Sequence, residues 1–350
     1  MFGNNTADVS WHDKPCLISH LSIRREIVAI LFIASSHGRI MQLLSDTDER
    51  SLIEDFRSFI HTEGIVGPGD DAAVLSNGTV ASTDIVTFDR HFPAGMTYEQ
   101  FGWYAAAVNF SDIAAMGARP TGFLAGLALP DNLEKQNAYD IMSGISQCCE
   151  YCGTGILGGD TKPGPGIVSG TALGSMDGRK PMLRSGANPG DVIAVTGPLG
   201  GPAAGFLDIE HGLNLAPARN DLYVPIPKVA EGISLAETGA VTSCMDISDG
   251  LGTSINTVCA QSNVGALIEW DFIPKNEYAV KASESTEKPL KELIFDFGGE
   301  YELLFTADKN KLRQLYDSEV EFHIIGMIND SGKAELLKNG ERSVIGYGSY

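Results

Sequence analysis

The sequence predicts a layered α/β fold, with α+β character in its layers, divided into two domains. Three observations carry this. Strand-like and helix-like patterns alternate through the first half of the chain. Strand ends and turns repeatedly carry a small residue followed by an acid, the arrangement in which α/β folds collect ligands. A Gly- and Pro-bearing stretch of mixed charge, 179–191, interrupts the pattern and marks the boundary, giving domains at 41–180 and 181–350.

The elements follow in order. Residues 45–61 read as an amphipathic helix, with Leu52, Ile53, Phe56, Phe59 and Ile60 at three- and four-residue spacing. Gly67-Pro68-Gly69-Asp70-Asp71 is a turn with two acids before a short strand, and 79–86 is a β-rich strand carrying Ser82-Thr83-Asp84. A helix opens at Thr97, a suitable N-cap, and closes at Gly117, with Pro120 barring continuation. Next come a strand at 121–129, a helix at 133–152, a short buried strand at 155–157 and a strand at 167–174. In the second half, 192–196 is a core strand, and the glycine-rich 197–205 opens a helix. Met245-Asp246-Ile247-Ser248-Asp249-Gly250-Leu251 is a strand end or turn leading into another helix.

The first forty residues differ from the rest. The apolar run 27–34 is too short to span a bilayer as a helix. The segment before it is long for a signal-peptide n-region and contains Asp8, Asp13 and Glu26. Residues 1–40 therefore read as an extension, disordered or arising from a misplaced start, with Met41 opening the folded part.

A hydrophobic content of 43% with 20% charged residues is that of a globular domain in water. The formal charge of −20 argues against a nucleic-acid partner and against unassisted binding of phosphate esters. Cys149 and Cys152 form a lone CxxC; no second pair stands at metal spacing, and the reading is reduced thiols packed on a helix.

The acids are the informative residues. On the helix beginning at Thr97, Phe101, Ala105, Val108 and Asp112 share one face, apolar until Asp112. Burying a carboxylate there costs several kcal/mol unless it is paired or bound to a cation. Asp84, Asp160 and Asp249 each follow a small residue, Asp71 follows another acid, and Asp246 stands three residues before Asp249. Grouped carboxylates flanked by hydroxyls are hard oxygen ligands suited to Mg²⁺. No GxxxxGK[ST] and no protein-kinase motif set is present, so cations would have to neutralise a bound nucleotide. His91, in the loop after the strand bearing Asp84, is a functional candidate or a polar surface residue. Arg184, at the domain boundary, is a phosphate contact or a surface arginine.

Taken together, Gly69-Asp70-Asp71-Ala72-Ala73, Ser82-Thr83-Asp84, His91-Phe92, 108–117, Gly158-Gly159-Asp160-Thr161, Arg184-Ser185-Gly186-Ala187, Asp246-Ile247-Ser248-Asp249-Gly250-Leu251 and Gly299-Glu300 resemble the thiamine-monophosphate kinase family. The resemblance runs from about Met41 to the C-terminus. The wider superfamily includes aminoimidazole ribonucleotide synthetase, selenophosphate synthetase and a hydrogenase maturation protein.

The resemblance implies a two-domain aminoimidazole ribonucleotide synthetase-like fold, in a cytoplasmic homodimer paired through the N-terminal sheets. It implies ATP-dependent phosphorylation of thiamine phosphate to thiamine diphosphate by direct in-line transfer with several Mg²⁺ ions and no membrane partner. The implied metal ligands are Asp71, Ser82, Thr83, Asp84, Asp112, Asp160, Asp246 and Asp249, with Asp71, Asp84, Asp112 and Asp246 central to catalysis. ATP contacts fall on Gly159, Asp160, Arg184 and Ser248, and thiamine phosphate contacts on His91, Glu300 and Tyr347. Tyr347 stacks on a substrate ring or packs on its own domain.

There are departures from the family pattern. Glu300 meets Tyr301 directly where the family usually has one more acid, Lys162-Pro163 stands where Thr-Arg is common, and 87–90 is less glycine- and valine-like. The alternatives are another ATP-dependent member that activates a carbonyl or amide oxygen, and a non-catalytic nucleotide-binding partner of a maturation complex.

Overall fold

The computed structural model describes residues 49–60 and 64–348. The chain divides into two units, 1–61 and 62–350. Of the first, α1 (Glu49–Phe56) and a following 3₁₀ turn are described, within the helix expected at 45–61. Phe56 and Phe59 of its apolar stripe are exposed. The extension expected at 1–40 lies outside the described residues.

The second unit holds two sheets. The first has five described strands in the order β1-β2-β5-β3-β4. They are β1 (Ala73–Val74), β2 (Thr79–Thr87), β3 (Arg119–Leu129), β4 (Ile156–Pro163) and β5 (Ile167–Ser175). Between them run α2 (Phe88–His91), α3 (Tyr98–Ala115) and α4 (Lys135–Tyr151). β3 and β4 are parallel, joined through α4 as parallel neighbours must be by a crossover. Pro120 sits where the β3–β5 register shifts, the kind of place a sheet tolerates proline.

β4 departs from expectation. It is eight residues long and exposed along nearly its whole length, where a short buried strand was expected. Gly158-Gly159 looks like a turn in the sequence. A Cβ on Gly159 would lie 1.8 Å from the Ala125 carbonyl oxygen, so glycine here serves a close strand approach.

The second sheet has seven described strands in the order β12-β11-β8-β10-β6-β9-β7. In chain order its elements are β6 (Val192–Val195), α5 (Gly201–His211), α6 (Ala216–Tyr223), α7 (Val229–Thr238), β7 (Val241–Asp246), α8 (Leu251–Ser262), β8 (Gly265–Glu269), α9 (Glu277–Thr286), α10 (Leu290–Phe295), β9 (Leu303–Ala307), α11 (Leu312–Tyr316), β10 (His323–Asn329), β11 (Ala334–Lys338) and β12 (Glu341–Val344). β6 is buried at every position, as expected of a core strand.

α3 is the element both sheets share. Thr97 and Gln100 form a reciprocal capping box at its start, and Gly117 takes φ 70 just past its end. It is apolar almost all round, as a buried helix should be, and it packs on β2, β5, α4, α7 and β7. Glycine permits the close approaches: a Cβ on Gly144 would meet the Glu99 carbonyl oxygen at 1.8 Å, and one on Gly232 the Ala114 carbonyl oxygen at 2.1 Å.

Cys148 and Cys149 on α4 and Cys152 just past its end are free and buried, and burial pushes the Cys149 thiol up to about 12. That is the state of packed, unreactive thiols.

Candidate active site

Three carboxylates converge where α3 meets both layers. Asp71 precedes β1, Asp112 lies in the last turn of α3, and Asp246 ends β7. One oxygen from each lies within 4.8 Å of the others. Hydroxyls orient two of them: Ser82 donates to Asp112, and Ser111 donates to Asp246 Oδ2 at 2.6 Å. Arg184 donates from Nη2 to Asp71 Oδ1 at 2.6 Å, and its backbone N–H donates to Asp70 Oδ1 at 2.7 Å.

Two buried oxygens are left over. Asp71 Oδ2 and Asp246 Oδ1 have no hydrogen-bond partner among the described residues. A buried acceptor without a partner costs about 1–3 kcal/mol, and more for a charged group.

Electrostatics point the same way. Burial first, and then the charges of neighbouring acids, push Asp71 up to about 6 and Asp246 up to about 7. Burial and the charges of Asp246, Asp84 and Asp71 hold Asp112 well above the usual carboxylate range. Burial opposes the charge on Arg184, but Asp71, Asp246 and Asp112 outweigh it and raise its pKa. One guanidinium among this many acids leaves an excess of negative charge. Hard carboxylate oxygens, some unpartnered and all crowded, fit a divalent oxygen-seeking cation such as Mg²⁺.

Asp84 stands beside this group. Its backbone N–H donates to Asn109 Oδ1 at 2.9 Å, while Asn109 Nδ2 donates to the Ala105 carbonyl at 2.9 Å. Buried Asn109 thus ties β2 to α3. Gly170 on β5 leaves the room, since a Cβ there would meet Asn109 Nδ2 at 2.3 Å.

The remaining candidates are distributed around the cluster or away from it. Thr83 points from the opposite face of β2 to Ser82, and its hydroxyl donates to the Gly170 carbonyl at 2.7 Å. Gly159 and Asp160 are exposed on β4, where Asp160 pairs with Lys162 at 2.7 Å. Asp249 is exposed; Ser248 is half-buried, its carbonyl accepting the Gly299 N–H at 2.7 Å.

His91 Nδ1 accepts the Thr87 N–H at 3.1 Å, and burial lowers its pKa. The imidazole is therefore neutral with its hydrogen on Nε2, a donor. Glu300 accepts the Gly200 N–H at 2.6 Å, and burial holds its carboxyl well above its ordinary value. Tyr347 lines a cavity of about 290 Å³ with Asn256, Cys259, Asn263 and Lys333.

Ser111, Asn109, Tyr104 and Tyr301 were not singled out as site residues by sequence, except Asn109 as a neighbour one turn before Asp112. Ser111 carried a signal in retrospect: it precedes Asp112, so a helix aims the two at different neighbours. Tyr104 carried none, and Tyr301 was marked only by the missing acid between it and Glu300.

Residues 69–176 match the AIR synthase related protein N-terminal domain, and 188–339 the corresponding C-terminal domain. A thiamine-monophosphate kinase of Methanopyrus kandleri is 32% identical over 296 residues, covering 83% of this chain and 93% of that protein. One from Pyrococcus horikoshii is 32% identical, covering 83% of this chain and 91% of its own length. Among solved structures, AaThiL complexed with AMPPCP and TMP superposes with TM-score 0.76 at 26% identity, covering 86% of this chain and 96% of that one. The hydrogenase maturation protein HypE of E. coli has TM-score 0.67 at 17% identity, covering 93% of this chain and 98% of its own, a likeness of fold alone.

Proposed function

The chain belongs to the thiamine-monophosphate kinase family, within the AIR synthase related proteins, and from that premise we propose that it transfers the γ-phosphoryl group of ATP to thiamine phosphate, giving ADP and thiamine diphosphate. The observation that carries the mechanism is the convergence of Asp71, Asp112 and Asp246 with two buried oxygens left unpartnered. The AaThiL complex, with its ATP analogue and TMP, supports the pairing of substrates.

Asp71, Asp84, Asp112 and Asp246 would hold Mg²⁺, with the exposed Asp160 and Asp249 as further ligands. Bound there, the cations supply charge neutralisation and alignment of the reacting phosphates. The chain's own work is orientation. Ser82 and Ser111 fix the carboxylates of Asp112 and Asp246, and Asn109 fixes the backbone of Asp84. Arg184 meets the phosphates of ATP alongside Gly159 and Ser248. His91 presents Nε2–H to the acceptor, while Glu300 and Tyr347 bound the rest of its site. An acceptor phosphate is already ionised, so no general base is needed, and positioning does most of the catalysis.

The same proposal covers the division into an ATP- and metal-holding domain at 41–180 and a second domain at 181–350, a cytoplasmic location and a homodimer. The dimer is supported by the open face of the first sheet, where Ile85 and Leu157 are each 62% exposed. Among the described residues no helix is long and apolar enough to cross a membrane.

The test is product analysis with ATP, Mg²⁺ and thiamine phosphate. ADP and thiamine diphosphate in one-to-one ratio is the expected result. ADP with free phosphate and no thiamine diphosphate would remove the reading.

A further inference from the structure

Tyr104 and Tyr301 meet hydroxyl to hydroxyl at 3.0 Å, with their rings edge to face and centroids 6.0 Å apart. They come from different layers. Tyr104 lies on α3, two turns before Asp112. Tyr301 lies in the loop before β9, and its N–H donates to the Ile247 carbonyl at 3.0 Å, one residue beyond Asp246.

Tyr301 is held against its preference. Its φ is 53, in the left-handed region that a bulky side chain rarely adopts. Yet it is only 8% exposed and packs into the core of the first layer. The loop before β9 thus carries an aromatic ring from the second layer into the core of the first.

The hydrogens do not balance within the pair. Two phenols carry two O–H hydrogens, and one bond uses one. Burial raises the pKa of Tyr104 and holds Tyr301 well above its ordinary value, so both stay neutral and keep their hydrogens. Tyr301 bonds to the residue after Asp246 and Tyr104 stands on the helix that carries Asp112, so the pair borders the acidic cluster. Asp112 and Asp246 take their own hydroxyl donors from Ser82 and Ser111. Next to Tyr104, at 6.2 Å between ring centroids, stands His91 with its Nε2 hydrogen. His91, Tyr104 and Tyr301 therefore form a row of rings bearing two donors beside the place where charge is gathered. A phosphate monoester, rich in acceptors, is the complement of that row.

We propose that the Tyr104–Tyr301 pair is an acceptor-binding element, strapped across the two layers beside His91, whose unshared O–H hydrogen donates to a phosphate oxygen of thiamine phosphate. The inference rests on the kinase reading. Tyr104→Phe and Tyr301→Phe keep the rings; each removes one of the two hydrogens and the double variant removes both, so steady-state kinetics with each substrate separates binding from packing. The double variant is expected to raise KM for thiamine phosphate about tenfold and to leave KM for ATP within about twofold, with the single variants, in which the remaining O–H is freed, raising it less. A double variant whose two KM values match wild type, or in which both KM values rise together with a fall in melting temperature, would overturn it and leave a structural strap. A wild type that turns over no thiamine phosphate would instead remove the kinase reading, and this inference with it.

Discussion

Ser111, on the helix shared by both sheets, donates its hydroxyl hydrogen to Oδ2 of Asp246, at the end of a strand in the second sheet, across 2.6 Å. The bond joins the two layers at the candidate metal site, 135 residues apart in sequence. It sets which oxygen of Asp246 is held and which, Oδ1, is left free of protein donors.

Ser111→Ala removes that donor and leaves both Asp246 oxygens without a protein partner. Stability measured by denaturant in EDTA is expected to fall by about 1–3 kcal/mol. The Mg²⁺ concentration for half-maximal activity is expected to rise about tenfold or more, because a loosened carboxylate is a poorer ligand. An unchanged Mg²⁺ dependence would show that Ser111 does not orient a ligand.

Asp112→Asn keeps the shape of the side chain and deletes one of three crowded charges. Turnover is expected to drop by about a thousandfold or more, as loss of several kcal/mol of charge stabilisation would require. The melting temperature in EDTA is expected to hold or rise, since neighbouring acids already oppose ionisation of Asp112. Activity near wild type would contradict the metal role.

Legibility in the sequence differed residue by residue. Asp112 stood out because a carboxylate on an otherwise apolar helical face requires explanation. The strand at 192–195 and the ends of the helix at 98–115 were readable from local pattern and caps. β4 was misread because Gly158-Gly159-Asp160-Thr161 has turn chemistry, while its extended path is dictated by contact with β3. That Asp71, Asp112 and Asp246 meet required the family resemblance, because periodicity says nothing of contacts between residues so far apart in sequence. Tyr301 was invisible for the same reason: its strain and its partner both arise from tertiary structure.

Arg184→Ala strips the buried Asp71 of its guanidinium. Because Arg184 is itself 24% exposed, the expected loss of stability in EDTA lies at the lower end of about 3–5 kcal/mol. Added Mg²⁺ is expected to restore part of it, while KM for ATP stays elevated. A melting temperature indifferent to the substitution would show the pair to be incidental.

The acidic cluster also sets a pH dependence. Asp71 and Asp246 titrate at about 6 and about 7 in the folded protein, against 3.8 for an ordinary aspartate. The folded state therefore binds more protons between these values, so their contribution to stability is full below 3.8 and is lost as pH rises through about 7. Cations would replace the lost protons. The rise in melting temperature on replacing EDTA with Mg²⁺ is expected to be larger at about pH 8 than at about pH 5. An equal or reversed response would separate the cluster from cation binding.

Phosphorus NMR of wild type and Asp112→Asn with ATP and thiamine phosphate, with and without Mg²⁺, tests the central claim most directly. The expected record is growth of thiamine diphosphate and ADP signals at the expense of ATP and thiamine phosphate, in wild type with Mg²⁺ only. Absence of thiamine diphosphate from wild type at every Mg²⁺ concentration, or equal formation by Asp112→Asn, would contradict it.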